Sequence, residues 1–114
     1  MRCLNLSRGG AVIADKLEMK DSFFGRLIGL LSRSGLKDGE GIILNPCTQI
    51  HTFFMRFSID AVFLSRDMEV ISVIEDMKPW RVSPMYFKAK YTLEVRGGYL
   101  KGGVKAGDKL VLED

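Results

Sequence analysis

Fifteen consecutive residues, Pro46-Cys47-Thr48-Gln49-Ile50-His51-Thr52-Phe53-Phe54-Met55-Arg56-Phe57-Ser58-Ile59-Asp60, hold the chain's only histidine, one of its two cysteines, an arginine and an aspartate. Ionisable side chains alternate there with apolar ones, as they would beside a cleft. Two pairings invite chemistry. A Cys47 thiolate beside the His51 imidazole would be a strong nucleophile. Arg56 and Asp60 would meet as a charge-assisted pair across a bend at Phe57-Ser58. Alternatively, Arg56 would hold a carboxylate or phosphate while Asp60 fixes its orientation.

Strand geometry weighs against the nucleophile. In a continuous strand, residues four apart share a face but lie about 13 Å apart, whereas a nucleophile and its base need about 3 Å. The run Thr52-Phe53-Phe54 favours strand over the helix that would close that gap. A bulge or turn after Pro46 would rescue the dyad. The plainer reading is a buried cysteine at a strand entrance. Parity then sorts His51, Phe53 and Met55 onto one face, and Thr52, Phe54 and Arg56 onto the other. A lone histidine on an apolar face is more often a hydrogen-bonded core residue than a ligand.

One histidine and two cysteines cannot close a structural zinc site without carboxylates. Asp60, Glu94 and Asp108 stand at no ligand spacing, so no metal and no cofactor are expected. Trp80-Arg81, after Pro79, reads as a loop where an aromatic wall and a cation would suit a planar or anionic ligand. The structural alternative is a tryptophan that caps one end of the core. The glycines from Gly97 to Gly107 match neither phosphate-loop nor dinucleotide spacing and read as turns.

The elements that must position these residues are mostly strands. Arg2–Leu6 and Ala11–Ala14 flank Ser7-Arg8-Gly9-Gly10 as a hairpin. Asp21 or Ser22 can cap a helix to about Ser34, with Phe23, Leu27, Leu30 and Leu31 at helical spacing. Ile42–Leu44, Gln49–Met55, Ile59–Ser65, Glu69–Glu75, Tyr91–Arg96 and Lys109–Glu113 read as strands.

With 114 residues, 46% hydrophobic and 27% charged, the chain is expected to fold as a single soluble domain spanning 1–114. No apolar run approaches the roughly 20 residues that span a bilayer, and the start lacks the apolar core of a signal peptide. A cytoplasmic setting with reduced thiols is therefore expected, rather than a Cys3–Cys47 bridge. The net charge of +3 is uneven, and the last third presents Lys78, Arg81, Lys88, Lys90, Arg96, Lys101, Lys105 and Lys109. Such a face can meet nucleic acid, but without a motif it reads first as a solvated surface.

The order Arg26-Leu27-Ile28-Gly29-Leu30-Leu31, Pro46-Cys47, Ile50-His51-Thr52, Met55-Arg56 and Ile59-Asp60-Ala61-Val62-Phe63-Leu64 resembles domain-of-unknown-function family 192. Pro79-Trp80-Arg81, Leu93-Glu94, Gly97-Gly98 and Gly107-Asp108 extend the likeness from about Phe23 to Leu112. Ser58 departs from it, standing where the family often has proline. The resemblance implies a small bacterial or archaeal domain with a β-rich, barrel-like fold and short helices, and it implies no activity. The family's recurrent residues fall here on Arg26, Cys47, His51, Thr52, Met55, Arg56, Asp60, Trp80, Arg81, Glu94 and Gly98.

The expectation is a mainly β (α+β) domain, a strongly bent antiparallel or mixed sheet forming a partly open barrel with one or two short helices. Its expected role is a binding module whose cleft is bounded by His51, Thr52, Arg56, Asp60, Trp80, Arg81 and Glu94. That cleft would take a small anionic ligand or a peptide of a protein partner, with no membrane involved. The rival readings are a small enzyme using Cys47 and His51, and an accessory protein binding nucleic acid through its basic face.

Overall fold

The computed structural model describes residues 1–20 and 35–114, so the helix expected between Asp21 and Ser34 lies outside the described residues. The described chain is mainly β, with one short 3-10 turn at Leu6–Arg8. The strands are β1 (Arg2–Asn5), β2 (Ala11–Ala14), β3 (Lys16–Lys20), β4 (Glu40–Leu44), β5 (Ile59–Leu64), β6 (Val70–Met77), β7 (Tyr91–Arg96) and β8 (Leu110–Glu113).

These strands form two sheets, one ordered β2-β1-β8 and one ordered β3-β4-β7-β5-β6, and they do not close into a barrel. Strand pairing is antiparallel except between β3 and β4. The sheets are tied where β6 begins: Val70 N–H donates to the Asp108 carbonyl and Leu110 N–H to the Met68 carbonyl. Asp108 also gathers the N-terminal hairpin, accepting from Asn5 Nδ2 at 2.9 Å and Arg8 Nε at 3.1 Å.

The five-stranded sheet is covered on both faces, which explains its near-continuous apolar strands. Every residue of β5 is buried. Val62 and Leu64 join Ile43, Leu93 and Val95 in a cluster shared with Cys3, Ile13 and Ala14 of the smaller sheet. Ile59, Ala61 and Phe63 face the other way, toward Ile42, Leu44, Cys47, Ile50 and Met55. The second cluster is therefore roofed in part by the segment that follows β4, the stretch richest in reactive groups.

Candidate functional site

Gln49–Met55 does not form the expected strand. His51 makes an isolated antiparallel bridge with Val82, and a tight turn follows at Thr52–Met55, closed by the Met55 N–H to the Thr52 carbonyl at 3.2 Å. Phe54 occupies the third turn position with φ +66°, a backbone conformation normally left to glycine or asparagine. The turn breaks the strand parity. Met55 and Thr52 are buried, whereas His51 and Phe54 are exposed.

A second loop zips onto the first. Ser83 N–H donates to the Ile50 carbonyl, Tyr86 N–H to the Thr48 carbonyl, and Thr52 N–H to the Arg81 carbonyl, each at 2.8–2.9 Å. The Gln49 side-chain amide adds a bond to the Ser83 carbonyl at 2.9 Å. Residues 45–58 and 78–90 thus make one two-stranded ribbon laid over the second core cluster.

Thr52 is the clamp of this ribbon. It is fully buried; its hydroxyl donates to the Lys78 carbonyl at 2.6 Å and accepts from the Arg81 N–H at 2.9 Å. Its carbonyl also accepts the Trp80 N–H at 3.0 Å. Trp80, like Phe54, sits at positive φ, +64°. Left-handed backbone costs about 1–3 kcal/mol at a bulky residue and persists only where surrounding bonds enforce it. Here Thr52 enforces both.

The product is an aromatic surface patch. Phe54 is 70% exposed and Trp80 55% exposed, yet their rings are only 4.7 Å apart. Phe53 lies 5.9 Å from Trp80 and stacks on His51 at 4.8 Å. Val82, Met85 and Phe87 extend the exposed apolar surface along the second loop. Beyond Met85, an open depression of about 400 Å³ is lined by Pro46, Cys47, Thr48, Gln49 and Met85.

The residues expected to bound a cleft divide into three places. His51, Arg56, Trp80 and Arg81 stand on the exposed ribbon, and Thr52 lies beneath it. Asp60 is sequestered: its carboxylate accepts from the backbone N–H groups of Asp76, Gly98 and Leu100 at 2.7–2.9 Å. The expected Arg56–Asp60 pair is therefore not formed, because the amides of neighbouring loops hold the carboxylate inside while Arg56 points to solvent. Glu94 lies on the inner sheet face, in register with Ile42 and Ala61. Burial among apolar neighbours pushes its carboxyl up to about 7. Thr92, on the same face two residues earlier, has a buried hydroxyl without a hydrogen-bond partner among the described residues.

The proposed nucleophile and base are engaged separately. The Cys47 thiol donates to the Gln49 carbonyl at 3.3 Å, and His51 Nδ1 accepts from the Phe53 N–H at 3.3 Å. Neither Cys3 nor Cys47 is in a disulfide. Among the described residues, no group of three His, Cys, Asp or Glu is placed to hold a metal ion. The basic C-terminal third is partly compensated by ion pairs Lys78–Asp76 and Arg96–Asp38, while Lys109 donates to the Asp67 carbonyl. Phe53, Phe54, Val82, Met85 and Phe87 were invisible as site residues in the sequence, since apolar side chains read as core; for Phe54 it is the left-handed turn that leaves the ring outside.

A two-sheet β chain with this ribbon falls into a class of proteins defined by sequence and shape, not by a reaction. The DUF192 profile, described as Uncharacterized ACR, matches residues 4–112, and the chain belongs to that family. It is 35% identical over 111 residues to UPF0127 protein PH1112 of Pyrococcus horikoshii, covering 93% of this chain and 90% of that one. It is 33% identical over 95 residues to a UPF0127 protein of Thermococcus sibiricus, covering 80% of this chain but only 61% of that longer one. In shape it resembles a Novosphingobium aromaticivorans protein of unknown function, with a TM-score of 0.84 at 22% identity over 98% of this chain and 84% of the other. A Sinorhizobium meliloti protein described as a proposed transcription regulator gives 0.80 at 22% identity, over 96% and 91%. These two likenesses concern the fold alone. Among the described residues, no helix is long and apolar enough to cross a membrane.

Proposed function

We propose that this chain is a binding module that engages its partner on the surface of the 45–58/78–90 ribbon, in a reducing compartment where Cys3 and Cys47 remain thiols. The observation that carries this reading is the pair Phe54 and Trp80. Two bulky aromatics are held in contact, outside the core, on backbone that disfavours them. Strain of this kind collects at ligand-contacting sites, because packing alone would select glycine or a polar residue there. His51 and Arg81 add hydrogen-bonding and cationic groups beside the rings, in keeping with a small anionic ligand or a peptide.

Thermal denaturation across a panel of small anions and peptides tests the proposal. Partners of the site raise the melting temperature of the native chain and leave a Phe54→Ser/Trp80→Ser variant unmoved. Partners that stabilise both proteins equally, or a panel that stabilises neither, would overturn it.

A further inference from the structure

Resting on that reading, we infer that the occupant of the ribbon is an acidic segment of another protein, carrying apolar side chains between its carboxylates. The first observation is charge. Residues 45–58 and 78–90 contain no aspartate or glutamate, while they hold Arg56, Arg81, Lys88 and Lys90 besides Lys78, which pairs with Asp76 outside the ribbon. Arginines elsewhere commonly meet carboxylates, as Arg2–Glu113, Arg8–Asp108 and Arg96–Asp38 do. Arg56 and Arg81 are exposed and form no ion pair among the described residues, although each lies within two positions of an exposed aromatic. Two guanidinium groups flanking apolar surface match planar, bidentate carboxylates.

The second observation is extent. The apolar groups do not converge on one pocket. Phe54 and Trp80 touch, Val82, Met85 and Phe87 are exposed farther along the second loop, and Met85 also lines the open depression with Cys47 and Thr48. Trp80 to Phe87 can cover at most on the order of 20 Å, the reach of a short extended peptide rather than of a single small ion. Val82 and Met85 offer contact to aliphatic side chains but no stacking plane, which separates this surface from an aromatic ladder for nucleic-acid bases. A second copy of the chain is disfavoured, since two cationic ribbons without carboxylates repel.

A display library of random linear peptides, selected on the full chain, tests this directly. Affinities of the selected peptides for the native chain and for each variant are read from the anisotropy of a fluorescent label carried on the peptide, because Trp80, the chain's only tryptophan, is lost in one of the variants. The expected peptides combine Asp or Glu with Leu, Ile or aromatic residues. They lose affinity about tenfold or more with an Arg56→Glu/Arg81→Glu variant, and regain it when their carboxylates are exchanged for lysine. Arg56→Gln/Arg81→Gln, checked for unchanged melting, gives the same loss without the charge reversal.

Neutral or basic peptides, or acidic ones indifferent to both arginine variants, overturn the inference. If Phe54→Ser/Trp80→Ser still abolishes their binding, the ribbon survives as a binding surface with another partner. Selection of nothing, alongside quenching of Trp80 by single-stranded oligothymidylate with a steep salt dependence, assigns the surface to nucleic acid and also overturns it. Peptides that ignore the Phe54→Ser/Trp80→Ser variant overturn both readings.

Discussion

At the residue scale, Thr52 and Phe54 make opposite contributions to the same turn. Thr52→Val keeps the side-chain shape but strands the Lys78 carbonyl and the Arg81 N–H inside the ribbon. Each hydrogen bond lost in this part-buried setting costs about 0.5–1.5 kcal/mol, so the variant should lose stability of about 1–3 kcal/mol by denaturant titration. Its Trp80 should also become more mobile, seen as lower fluorescence anisotropy. Phe54→Gly relieves a left-handed aromatic at the expense of one exposed ring contact. Urea melts should show equal or slightly higher stability, by up to about 1 kcal/mol, with partner binding lost. A clear destabilisation would mean that the ring serves the fold. Glycine would have announced this turn in the sequence; a phenylalanine in glycine's place made it read as strand.

At the scale of elements, legibility followed apolar continuity. Tyr91–Arg96 reads from its sequence with the ends it has in the fold, and Ile59–Ser65 is one residue longer than β5, because both faces of those strands are buried. The N-terminal hairpin is equally plain from its glycines. By contrast, β3 is missed: Lys16-Leu17-Glu18-Met19-Lys20 offers two apolar residues, and among the described strands it pairs with β4 alone, its other edge adding the Leu17 N–H bond to the Met1 carbonyl. Asp60 was legible as important but not as to its purpose. Its partners are backbone amides from β6 and from the turn after β7, which no side-chain pattern discloses. Asp60→Asn turns an acceptor oxygen into a donor facing one of those amides. A loss of about 2–3 kcal/mol should follow, with hydrogen exchange rising at Gly98 and Leu100 and peptide binding at the ribbon unchanged.

For the whole molecule, the buried Glu94 carboxyl links stability to pH. Burial raises its folded-state value from 4.5 to about 7, so between those values the folded chain holds a proton that the unfolded chain has released. Stability from this group is complete below the unfolded value and falls as pH rises through the folded one, by up to about 1 kcal/mol per pH unit. Glu94→Gln should flatten that part of the pH–stability curve and melt higher than the native chain at pH 8. An unchanged slope would show that the carboxyl is already relieved by solvent or a partner.

One pairing of the smaller sheet matters beyond its own stability. β1 and β8 lie side by side, with Arg2 opposite Glu113 and the two side chains joined as an ion pair. The first and last strands of the fold thus lie edge to edge, as two wires share a single cord. A unit wired in that way can be spliced into the loop of an unrelated host without pulling its neighbours apart. It can equally be joined end to end by a short linker and reopened at Gly9-Gly10 with the sheets preserved. Architecture therefore leaves evolution free to mount the ribbon on other proteins as a ready-made insert.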